Sequence, residues 1–125
     1  MAEITANVNW LAVIVGAVVA YALGWLWYGP LFGKTWSGGL GISVPDRLPM
    51  AAMVTQAVGT FLLAWVFGVT AAANALATVI LVVLTIVVLM AAGGLYAQKP
   101  GNVIAIETGY VVVMAVVLFL AQAIF

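Results

Sequence analysis

Residues 75–96 read ALATVILVVLTIVVLMAAGGLY, a run without a single charged side chain. A helix needs about 20 apolar residues to cross a hydrocarbon core, and in lipid each backbone amide must find its partner within the segment. The run is therefore a membrane helix; barrel strands would be shorter and would alternate polar with apolar residues. Working outward, residues 10–28, 50–69 and 103–125 have the same character. With 68% of the residues hydrophobic and 5% charged, the chain has no polar coat for a water-facing surface. The expectation is an all-α integral membrane protein, one four-helix domain over residues 1–125. The connections 70–74 and 97–102 are short, which makes successive helices antiparallel and the bundle up-down-up-down.

The first connection, residues 29–49, is the longest and holds Gly29, Gly33, Gly38, Gly39, Gly41 and the prolines Pro30, Pro45 and Pro49. It cannot be one continuous helix. The three basic residues, Lys34, Arg47 and Lys99, fall in the first and third connections. The positive-inside rule places those connections in the cytoplasm and both termini outside, in the periplasm. Before the first apolar run stands Glu3 and no Lys or Arg, unlike the basic start of a secretory signal, so the first helix is expected to be retained.

Three basic and three acidic side chains balance, leaving no basic stripe for nucleic acid. Cysteine and histidine are both absent. Disulfides, thiolate chemistry and the commonest transition-metal and haem ligands go with them. No metal or cofactor is expected. Without paired carboxylates or a nucleophile beside a base, no catalytic residue stands out, and the expectation is a protein that is not an enzyme.

The motifs that remain are packing and interface features. Ala12, Gly16, Ala20 and Gly24 recur at four-residue steps and make a nearly bare stripe along the first helix. Such a stripe admits a close helix, either the chain's own second or fourth span or another subunit. A second row, Ala52, Gln56, Thr60, Ala64 and Gly68, is its expected mate. Thr78, Thr85 and Ala92 on the third span read as packing residues, since a threonine can bond its own preceding turn. Trp27, Tyr28, Pro30, Phe32, Lys34 and Trp36, with Trp25 before them, read as an interfacial anchor or as a docking surface for a lipid, a quinone or a partner helix. Glu107 is the one acidic or basic residue inside a span, and Tyr110, Met114, Leu118 and Gln122 continue its face into the bundle. Lys34, Arg47 and Lys99 are its possible partners. It is either a structural ion pair or part of an ion relay.

Asn9 to Val13 opening the first helix, Gly24 with the Trp27 to Lys34 stretch and Trp36 closing it, and Glu107 to Tyr110 after the Lys99–Pro100 turn carry a resemblance. The chain resembles the bacterial domain-of-unknown-function family 1761 over most of its length. The Ser37 to Ser43 loop lies outside the shared pattern. The resemblance implies a small four-helix inner-membrane protein and no particular activity.

Two function classes remain. One is a non-catalytic protein acting by helix association among membrane lipids, as a homo-oligomer or an accessory subunit of a larger membrane complex. The other is a small transporter, channel, or lipid- or quinone-binding protein using Glu107 and Gln56.

Overall fold

The computed structural model describes residues 2–42 and 50–125. Arg47, Pro45 and Pro49 in the first connection lie outside the described residues. The described chain is helical throughout, with no strand: α1 (Ala2–Thr5), α2 (Trp10–Leu26), a π-helical turn (Trp27–Leu31), α3 (Gly33–Leu40), α4 (Met50–Ala72), α5 (Leu76–Tyr96) and α6 (Gly101–Ile124). Four segments are long and apolar enough to cross a membrane: Trp10–Leu31, α4, α5 and α6. The fold is an all-α, multi-pass helix bundle.

Local chemistry sets the boundaries. Asn9 starts α2 by accepting the Ala12 N–H on its side-chain oxygen at 3.2 Å, a helix N-cap. Near the other end, Pro30 has no N–H to give to the preceding turn. The helix does not stop there. It widens into a π turn, in which the Phe32 N–H reaches back to the Trp27 carbonyl at 3.0 Å. The span thus runs to Leu31 rather than Tyr28. The break comes at Phe32, and Gly33 permits it, because a Cβ there would stand 2.6 Å from the Tyr28 carbonyl oxygen.

The first connection is not one continuous helix, since it breaks at Phe32, but much of it is helical, and α3 takes in residues 37–40 of the stretch read as a Ser37 to Ser43 loop. Helix α3 ends with Gly41 in the left-handed region, the Gly41 N–H on the Gly38 carbonyl and the Ile42 N–H on that of Ser37. The same paired closure ends α4 at Asn74 and α5 at Gln98, both with positive φ.

Helix α2 packs against α4 and α6, α5 chiefly against α6, and α4 and α6 touch across the middle, leaving α2 and α5 on opposite sides of that pair. The core holds Val13 and Ala20 of α2, Ala64 and Phe67 of α4, Val79 of α5, and Tyr110, Met114 and Leu118 of α6. Leu81, Leu84, Val88 and Leu89 cover an exposed face of α5, an arrangement suited to lipid.

The bare stripe of α2 turns inward, and its mate is not the row on α4. A Cβ on Gly16 would lie 3.0 Å from Leu118 Cδ2 and 3.1 Å from the Ala121 Cβ, both on α6. The α4 row divides instead. Thr60, Ala64 and Gly68 are buried, with Gly68 against Val8 and Val13, whereas Ala52 and Gln56 are open. Thr78 and Thr85 point outward rather than into the packing, and Thr85 donates to the Leu81 carbonyl at 2.8 Å.

Gly16→Leu should therefore overpack a seam internal to one chain and cost about 1–3 kcal/mol of bundle stability. Unfolding in mild detergent measures it, and a variant as stable as the parent would place this face elsewhere.

Candidate functional site

The π turn delivers two successive aromatic residues onto α6. The Trp27 indole N–H donates to the Ile106 carbonyl at 2.8 Å, and its ring lies where a Gly109 side chain would begin, 3.3 Å from that Cβ position. Tyr28 meets Tyr110 edge-on with ring centroids 5.6 Å apart, and Trp36 of α3 likewise at 5.2 Å. Phe32 packs on Trp27 at 4.6 Å. The aromatic stretch is thus mostly an inward clasp on α6; Trp25, Pro30 and Lys34 are its exposed members.

Tyr110 sits at the centre of this clasp. Its hydroxyl donates to the Ala20 carbonyl at 2.8 Å and rests directly against Gly24, where any Cβ would strike it. Gly24 is bare to admit a phenol rather than a whole helix. The Gln56 amide, from α4, donates to the Tyr110 hydroxyl and to Thr60 Oγ1, each at 3.4 Å.

Glu107 lies just above. Its carboxylate accepts from Lys99 Nζ at 2.9 and 3.1 Å and from the Trp36 indole N–H at 3.1 Å. Lys99 comes from the α5–α6 turn and Trp36 from α3, so one acidic group ties two connections to the start of α6. The pair is part-buried, the side chains 31% and 18% exposed for Lys99 and Glu107, and it is the one ion pair among the described residues. Lys34 is exposed on α3. Arg47 lies outside the described residues.

Beside these groups runs a cleft of about 670 Å³ between α4, α5 and α6. It exists because the α4 wall is built of small residues, Ala51, Ala52, Thr55 and Gly59. Thr55 bonds its hydroxyl back to the Ala51 carbonyl at 2.7 Å. Tyr28, Gln56, Thr60, Glu107 and Tyr110 supply the polar lining, and Leu63, Ile86, Met90, Val111 and Met114 the apolar lining. At 1.5 Å per residue, Gln56 lies about 9 Å and Tyr110 about 14 Å from the Lys99 end of their helices, with Leu63 and Met114 near 20 Å. The cleft is therefore polar at its shallow end and apolar at depth. A second groove of about 380 Å³, lined by Phe67, Val83, Val112 and Phe119 among others, is almost wholly hydrocarbon.

The structure gathers Gln56, Thr60, Tyr28, Glu107 and Tyr110 from three separate sequence motifs into one place. Trp36 as a partner of Glu107, and Thr55, Gly59 and Met90 as cleft lining, carry no sequence signal that sets them apart from ordinary span or anchor residues.

A family model described as a protein of unknown function, DUF1761, matches residues 11–122, and the chain belongs to that family. No curated protein and no solved structure matches it.

The contact between Tyr110 and Gly24 predicts strong coupling. Gly24→Ala and Tyr110→Phe should each destabilise the bundle, and the double variant should lose less than the sum by at least about 0.5 kcal/mol. Additive losses in unfolding titrations would mean that the two residues do not share this contact.

Proposed function

We propose that this DUF1761 member is a non-catalytic membrane protein that holds a small amphiphilic molecule in the cleft between α4, α5 and α6. The observation that carries the reading is the cleft's gradient. An amide, two phenols, threonine hydroxyls and a paired carboxylate line its shallower part among small residues and Met90, and Leu63 and Met114 line its depth. Binding pockets for small molecules have this make-up, mostly apolar walls with a few placed polar groups, and volumes of roughly 300–1,000 Å³. Binding without reaction fits a chain that has neither histidine nor cysteine and whose single membrane carboxylate is already engaged by Lys99 and Trp36. A conducting relay would need further ionisable groups along α6. Beyond Glu107 that helix offers Tyr110 and Gln122 alone as polar side chains on the inward face.

The association reading has less support. It drew on the α2 stripe, and that stripe meets α6 of the same chain, Leu118 and Ala121 at Gly16 and Tyr110 at Gly24. A homo-oligomer or a docked accessory subunit would use the outer face of α5 instead. The membrane we propose is the inner one, with the Lys34 and Lys99 connections cytoplasmic and both termini periplasmic.

Gly59 gives the direct test. It lines the cleft, and a Cβ there would meet nothing within 4 Å, so Gly59→Leu fills the space without disturbing the fold. In native mass spectra of gently solubilised protein, the parent should carry a bound small molecule and Gly59→Leu should not. Retention of the same molecule by the variant would remove the cleft as its site. Reporters fused at Phe125 should be active only if they function in the periplasm. Activity of a cytoplasm-only reporter would reverse the orientation.

A further inference from the structure

We infer that the cleft selects an uncharged amphiphile whose head carries hydroxyl or carbonyl oxygen, and that it rejects anionic and cationic heads. The inference rests on the cleft being a binding site and specifies what that site takes.

Charge decides the first part. Among the described residues Glu107 is the only charged one lining the cleft, and both of its oxygens are engaged, by Lys99 on one side and by Lys99 and Trp36 on the other. The ion pair sums to zero. An anionic head would meet that carboxylate, and among the described residues no lining cation offsets it, since Lys34 is exposed on α3 and does not line the cleft. A cationic head would have to displace Lys99. Unpaired charge at membrane depth is costly, so either head is driven back to the headgroup layer.

The hydrogen-bond pattern decides the second part. The proton of Tyr110 is committed to the Ala20 carbonyl at 2.8 Å, so the phenol offers the cleft a lone pair. Gln56 is held by two contacts of 3.4 Å, at the weak limit for a hydrogen bond, and its amide can turn to a better partner at little cost. A carboxamide and a phenol oxygen together provide donors and acceptors at one spot. A hydroxyl matches both, and a carbonyl matches the amide N–H. Met90, level with Gln56, and Met114, deeper in, supply soft, adaptable walls for a ring or an unsaturated chain.

The test uses the full chain in neutral detergent, titrated in native mass spectrometry with four probes. These are a decyl-substituted benzoquinone, geranylgeraniol, dodecyl phosphate and dodecyltrimethylammonium. The parent should bind one or both uncharged probes at least about tenfold more tightly than either charged probe, as expected when a charge must be desolvated without a partner. Preference between quinone and alcohol assigns the head as carbonyl or hydroxyl. Gln56→Leu, with an unchanged melting curve, should weaken the preferred probe about fivefold, the loss of one hydrogen bond. Charged probes bound as tightly as the neutral ones, and released by Gly59→Leu, would overturn the selectivity while leaving the cleft a binding site. Absence of binding by all four probes, or binding that Gly59→Leu leaves untouched, would overturn the cleft reading itself.

Discussion

The seam between α2 and α6 is the contact on which the rest of the bundle depends. Lipid tails are as apolar as the helices they surround, so apolar burial gives little drive for association, and close van der Waals packing with a few hydrogen bonds must supply it. Ala12, Gly16 and Ala20 strip one buried face of α2 bare, and Leu118 and Ala121 of α6 close on it at Gly16. Two hydrogen bonds then fix the register of the helices, from Tyr110 to the Ala20 carbonyl and from Trp27 to the Ile106 carbonyl. Each pairs a side chain of one helix with the backbone of the other, and they run in opposite directions. Sliding either helix by one residue would break both.

The cleft follows from this seam. With α6 seated on α2, the remaining helices close around the pair, and α4 brings small residues to its first turns and larger ones, Phe67 among them, farther on. Phe67 and Leu118 are buried, and the bundle is open beside Gln56. The π turn sets the shallow boundary. Tyr28 precedes Pro30 and reaches Tyr110 from the helix itself, and the π turn carries the chain past Pro30 to α3, whose Trp36 closes on Tyr28 and Glu107. Widening the helix by one residue keeps the aromatic run in contact with α6, and that run becomes the clasp around the site.

The spans were readable because hydropathy and length alone decide membrane crossing, and the α2 stripe because four bare positions at helical spacing have few other uses. What periodicity cannot convey is the choice of partner. Two small-residue rows, on α2 and α4, looked like mates, yet α6 carries a Leu and an Ala that fit the first more closely, and volume matching of that kind has no one-dimensional signature. Helix α3 was hidden because Gly38, Gly39 and Gly41 mark loops on average. Here Gly41 supplies the left-handed residue that ends a short helix. Glu107 stood out as a lone charge in a span, but Lys34, Arg47 and Lys99 were equal candidates to pair with it. The α5–α6 turn, closed through Gln98, is what brings Lys99 within reach.

Because the chain has no native cysteine, the central seam can be interrogated by one crosslink. A Cβ on Gly16 would stand 3.1 Å from that of Ala121, close to disulfide range. The double variant Gly16→Cys with Ala121→Cys, oxidised in native membranes and run on a denaturing gel, should give a compact monomer that reverts on reduction. A disulfide-linked dimer would assign the bare stripe to a neighbouring subunit and contradict the account.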